Sequence, residues 1–250
     1  MPAGFLTFFT AVVGAALSLA AVLAATTSVR LSDLGLWLGL LGGGAVCIEL
    51  TRHGSQPAGV SRDLLSAWKI PIALLLPPLF AVITALPFTA LKQVRVRPGA
   101  PHRRVLSAAA IGISDGIGSL LFHLLVPPFL SPASWLLVQP TRAVAAAALC
   151  GAICTTLNCL LIATAARLAS VETRWRKLLI NRENFTLDLS EAGAGVLLGI
   201  ACAVTPLAIP IALPPVLLLH RSLNQAQLRA AARTDPKTGL LNAAAWQEEA

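Results

Sequence analysis

Three polar side chains stand four residues apart inside one long apolar run: Asp115, Ser119 and His123. That spacing places them on one slowly drifting face of a helix. Ionisable groups in such a run are costly to hold away from water. They mark either a ligand or proton site inside a bundle, or a structural pair that hydrogen-bonds across to a neighbouring helix. The next apolar run supplies a partner of the right kind, because Asn158 follows Cys150 and Cys154 on a four-residue stripe of its own. Small polar residues at such positions more often join helices than bind ligands. Asp115, Ser119, His123 and Asn158 are therefore the candidate polar site, with binding and structural roles both open.

No catalytic constellation accompanies them. HExxH, GxSxG, a phosphate-cradling glycine loop and paired carboxylates on one helix are all missing from the sequence. It names no catalytic residue. The five cysteines (Cys47, Cys150, Cys154, Cys159, Cys202) lie in apolar runs without a CxxC pair, so neither a disulfide framework nor a metal site is expected.

The elements that must position these residues follow from composition. Of 250 residues, 56% are hydrophobic and 12% charged, with a mean hydropathy of +0.76. Soluble domains carry about 25% charged residues. The expected fold class is an all-α polytopic membrane protein with the lipid bilayer as its solvent. The net charge of +8 is then read as basic cytoplasmic loops, with no nucleic-acid partner.

Six apolar blocks are legible, at 4–26, 31–50, 69–91, 105–129, 143–166 and 190–219. Six simple spans would put the basic loops 92–104 and 167–189 outside, against the positive-inside rule. Prolines offer a repair. Pro77-Pro78 divides block 3, which extends back to Ser61, and Thr205-Pro206, Pro210 and Pro214-Pro215 interrupt block 6. Proline removes a backbone donor and ends a helix at the residue before it. Two proline-broken short hairpins raise the count to eight membrane segments, with both termini cytoplasmic. Arg30 and Arg142 are then the only two of the 19 Lys and Arg left outside. In the first hairpin, Arg62, Asp63 and Lys69 imply an interfacial entry. The stretch Arg174 to Ile180 mixes basic and apolar residues as an interfacial helix would, or as a solvated linker would. Gly35, Gly39 and Gly43 form a groove for a second helix, and Glu49 is expected to pair with a cation.

Beyond the last apolar run, Val216, Leu219, Leu223, Ala226 and Ala230 follow 3-4-3-4 spacing. This is a short heptad seam, suited to an exit helix that forms a homodimer. Next come Thr234, Asp235, Thr238, Gly239, Leu240 and Asn242, a helix stop at Pro236 and a new helix N-capped by Asn242. This stretch resembles the entry of a GGDEF (diguanylate cyclase) domain, T-D-x-L-T-G-L-x-N-R-R-x-F, and those six residues match position by position. Lys237 replaces a leucine, Ala243 and Ala244 replace two arginines, and Trp246 replaces the phenylalanine. The membrane part looks, more loosely, like the multi-helix regions attached to such domains in actinobacteria.

The resemblance implies three parts: a sensory or anchoring membrane domain at 1–219, a signalling linker helix at 220–233, and a GGDEF domain beginning at 234–250 and cut short. It implies a bacterial plasma-membrane protein whose missing domain uses magnesium and GTP to make cyclic di-GMP. This chain itself holds no cofactor, and the ligand it senses is unspecified. The family's entry motif is structural. A different reading takes the proline-broken hairpins as helix breaks around a binding site, as in a small membrane transporter.

Overall fold

The computed structural model describes residues 2–51, 65–95, 99–127, 130–169 and 182–232. Arg62, Asp63, the stretch 174–180 and the motif residues Thr234, Asp235, Thr238, Gly239, Leu240 and Asn242 lie outside them. The described residues form helices and no strand. In order these are α1 (Ala3–Thr26), α2 (Leu31–Thr51), α3 (Ser66–Leu75), α4 (Pro78–Arg95), α5 (Pro101–Leu125), α6 (Pro132–Val138), α7 (Pro140–Ala169), α8 (Arg182–Val204) and α9 (Ala208–Ala232).

Four segments among the described residues are long and apolar enough to cross a membrane: Ala3–Thr26, Leu31–Leu50, Pro101–Leu125 and Pro140–Ala169. Only 11% of the apolar window in α1 is buried against the protein, and Leu17 and Val22 point outward. An apolar surface of that extent belongs against lipid.

Prolines set the helix boundaries, though not at every site expected. α3 ends at Leu75 and α4 starts at Pro78, so block 3 is broken where Pro77-Pro78 predicts. α8 ends at Val204, where Thr205 Oγ1 accepts from the Leu207 N–H at 3.3 Å across the turn. The expected breaks at Pro210 and Pro214-Pro215 do not occur, and α9 runs through all three. Pro210 falls in the first turn of α9, where a helix has no use for that N–H. Pro214 and Pro215 are exposed, so the carbonyls they leave unpaired are not sealed in the core. A further short helix, α6, was not legible as an apolar block. It is capped by Ser131, whose Oγ accepts from the Ser134 N–H at 3.1 Å, and it tucks Trp135 against Phe122.

The core forms around α3. Its interfaces reach α8, α5, α2 and α4, and the α3–α8 and α4–α5 contacts are the most extensive in the bundle. Between lipid-bathed helices the apolar drive is weak, and close approach of small residues replaces it. A Cβ on Gly195 of α8 would lie 2.9 Å from the Ser66 carbonyl oxygen and 2.8 Å from Ile70 Cβ of α3. A Cβ on Gly112 of α5 would lie 2.8 Å from the Val82 carbonyl oxygen of α4. In the expected Gly35, Gly39, Gly43 groove, Gly43 takes the Trp68 ring and Gly39 the Ile209 side chain, while Gly35 meets nothing. That groove packs within the chain. Polar contacts add to it, for the Trp37 indole of α2 donates to Thr84 Oγ1 of α4 at 2.8 Å.

Gly195→Ala forces backbone apart and should lower the thermal midpoint of the detergent-solubilised protein, by a cost of about 1–3 kcal/mol. Gly14→Ala, with open space around it, should leave the midpoint unchanged or raise it. Equal midpoints for the two variants would contradict backbone contact at α3–α8.

Candidate functional site

α3 is a ten-residue helix whose N-terminus starts inside protein. The first N–H groups of a helix have no intrahelical acceptor, and Leu65 at the N-cap offers no side-chain oxygen. The acceptor comes from 125 residues away. Glu191 of α8, 7% exposed, takes the Ser66 N–H on Oε1 at 2.7 Å. A carboxylate at a helix N-terminus is also favoured by the helix dipole.

One turn further along α3, Lys69 Nζ lies 3.2 Å from Asp115 Oδ2 of α5. The two side chains are 12% and 8% exposed. Glu191, bonded to the Ser66 N–H one turn earlier on α3, lies within coulombic reach of Lys69. Three charged groups from α3, α5 and α8 thus meet inside the bundle. Removing one member of a buried pair leaves the other uncompensated.

Of the residues grouped by the sequence, the structure joins Ser119 with His123. Asp115 pairs with Lys69 and not with Asn158. Ser119 is fully buried one turn away. The His123 ring Nδ1 lies 2.8 Å from the Ser119 backbone oxygen and 3.5 Å from its Oγ. A carbonyl only accepts, so Nδ1 carries the proton and Nε2 is the basic nitrogen. Asn158 Oδ1 is buried and accepts no hydrogen bond among the described residues. Cys150 and Cys154 are buried, and Gly118 leaves the space that the Cys154 sulfur fills.

Two residues of the site escaped the sequence. Lys69 was placed at the interface, yet the structure encloses it. Glu191 stood at the start of an apolar run with no motif to mark it. The usable signal was charge balance, since Lys69 at the edge of one apolar block and Asp115 inside another are opposite charges in otherwise apolar runs. Glu49 does find its cation, Arg95, whose Nη2 and Nε donate to its two oxygens at 2.8 and 3.2 Å.

No protein-family model, curated protein or solved structure matches this chain. The residues themselves therefore carry the assignment. Among the described residues no group of three or more His, Cys, Asp or Glu is placed to hold a metal. What the site offers is a buried, hydrogen-bonded charge cluster that ties three helices together. It is chemically suited to fixing one arrangement of the bundle, or to changing it when a charge is altered.

Asp115→Asn should destabilise the bundle by about 3–5 kcal/mol, the cost of stranding a buried partner. Lys69→Met combined with Asp115→Leu should cost markedly less than either polar-to-apolar single change. Thermal unfolding of the four proteins gives the cycle, and additive losses would deny a direct pair.

Proposed function

We propose that this chain is the membrane sensor or anchor module of a cyclic di-GMP signalling protein, leading into a cytoplasmic GGDEF domain that follows Ala250. The carrying observation is the motif from Thr234 to Asn242, set directly after a membrane exit helix. Supporting it, α9 is unbroken from apolar Ala208 to Ala232, two residues before the motif. A displacement at its membrane end can therefore be passed on as rotation or separation of a rigid rod. Such a switch needs two bundle states with different affinities for the stimulus.

In this reading the bundle has eight membrane segments: α1, α2, α3, α4, α5, α7 and the apolar parts of α8 and α9. α3, Ser190–Val204 and Ala208–Leu219 are apolar but short, so they insert as broken hairpins. The exit helix pairs with its twin through the heptad seam of the sequence, Val216, Leu219, Leu223, Ala226 and Ala230, from Leu219 onward because Val216 is buried within the chain. The magnesium and GTP belong to the domain beyond.

The charge cluster fits as the point where the bundle grips α8. Glu191 fastens α8 to α3, and α8 continues through the Thr205 turn into α9. The same cluster also favours a second reading, a substrate-binding membrane component, because the first arms of both broken hairpins meet at it. Uptake of a labelled solute by vesicles containing the chain, lost in Asp115→Ala, would support that alternative.

Three measurements test the signalling reading. A fluorescent protein fused after Ala250 should glow in bacteria, and alkaline phosphatase at the same point should stay inactive; the reverse pattern places the C-terminus outside and ends the proposal. Single cysteines at Pro98 and Ser170, in a cysteine-free background, should resist a membrane-impermeant thiol reagent from outside the cell. The protein made from the uninterrupted gene should convert GTP to cyclic di-GMP with magnesium, and an open frame without a GG[DE]EF loop would refute a catalytic partner domain.

A further inference from the structure

α1, α4 and α5 do not close on one another along their whole length. They leave a groove of about 510 Å³, within the range of about 300–1,000 Å³ typical of small-molecule sites. The cause is local sequence. Ala16 and Ala20 on α1, Ala90 on α4 and Ala108 on α5 all face it, and four small side chains cannot fill the space between three helices.

The groove has a direction. α4 and α5 run antiparallel, for Gly112 abuts the Val82 carbonyl at one end while Gln93 and Gly99 exchange hydrogen bonds of 3.1 and 3.0 Å at the other. From Val82 to Gln93 it follows eleven residues of α4, about 17 Å at 1.5 Å per residue. Its wall is aliphatic from Val82 to Leu86, and Leu17 and Leu86 on its rim are exposed. Its polar side chains are Thr89, Gln93 and Arg104, toward the other end.

Charge is graded in the same sense. Lys92, Arg95, His102, Arg103 and Arg104 flank the polar end in the sequence, and Arg95 pairs with Glu49. A cationic mouth above an apolar slot on a lipid-facing helix matches an amphiphile with a negative head. Basic pockets between membrane helices attract anionic lipid on the cytoplasmic side, the side the positive-inside tally gives to this loop.

We propose that this groove is a site for an anionic phospholipid, with one acyl chain between α1, α4 and α5 and its phosphate at Arg104. Neither Lys69 nor Asp115 lines the groove, and the site does not depend on the signalling reading. It gives α1, the least buried of the candidate spans, a bridging contact to α4 and α5 that the protein alone leaves open. Bilayer composition would then act directly on bundle cohesion.

The test is native mass spectrometry of the purified chain equilibrated with equal amounts of phosphatidylglycerol and phosphatidylcholine. Wild type should retain phosphatidylglycerol preferentially. Arg104→Gln should reduce that preference by about fivefold, the effect of one basic residue at an anionic surface, and Arg104→Lys should keep most of it. Ala90→Trp places a large ring in the groove from an exposed position and should reduce retention of both lipids. Equal retention of the two lipids by wild type, or a preference untouched by Arg104→Gln, would overturn the proposal. So would a lipid-free dimer that dissociates on Ala90→Trp, because a second copy would then occupy the groove. Should Ala90→Trp lose its helical circular dichroism, the Gln and Lys variants at Arg104 decide the matter alone.

Discussion

A ten-residue helix is about 15 Å long, half of what a bilayer demands, and α3 carries a lysine in its second turn. Every other feature of the bundle answers that constraint. In an apolar medium backbone groups and charges must find partners inside the protein. α3 therefore has helices around it, with Trp68, Ile72 and Leu74 almost wholly enclosed. Its first N–H goes to Glu191 and its ammonium to Asp115. These two bonds fix α8 and α5 against α3 in one register, because each requires a single residue to arrive at one height.

Contact between backbones supplies the rest. Gly195 lets α8 approach the Ser66 carbonyl, Gly112 lets α5 approach α4, and Gly118 makes room for Cys154 of α7. Each close approach multiplies dispersion contacts that a larger residue would prevent. Where small residues instead stand opposite one another, as along α1, α4 and α5, the helices part and the groove opens. The same residue type thus tightens one interface and hollows another, depending on what it faces.

In the proposed signalling reading, the charge cluster is coupled through α8 to α9. α8 is held at Glu191, bends at Thr205-Pro206, and continues as α9 toward the sequence that resembles a GGDEF entry. Interior packing is bistable more readily than it is deformable, so a change at the cluster would reach α9 as a shift between arrangements. Lipid in the α1–α4–α5 groove would act through α5, whose Asp115 belongs to that cluster.

Much of this architecture is written locally. Apolar runs of about 20 residues can only be helices in a membrane setting, which made α1, α2, α5 and α7 legible, and Pro77 and Pro206 fall where helices end. Asp115 was recognisable as a costly group in need of a partner. The identity of that partner was not, because Lys69 lies 46 residues away and Glu191 acts on a backbone 125 residues distant, and no local rule encodes such pairings. Nor could the chain's own pattern show that α9 passes through Pro210, Pro214 and Pro215, since that depends on where the helix begins and which carbonyls face outward. Sequence determined the elements and the price-setting charges within them, through steric and solvation rules that act on neighbours. Tertiary structure decided which charge meets which, because only packing brings distant residues within reach of a hydrogen bond.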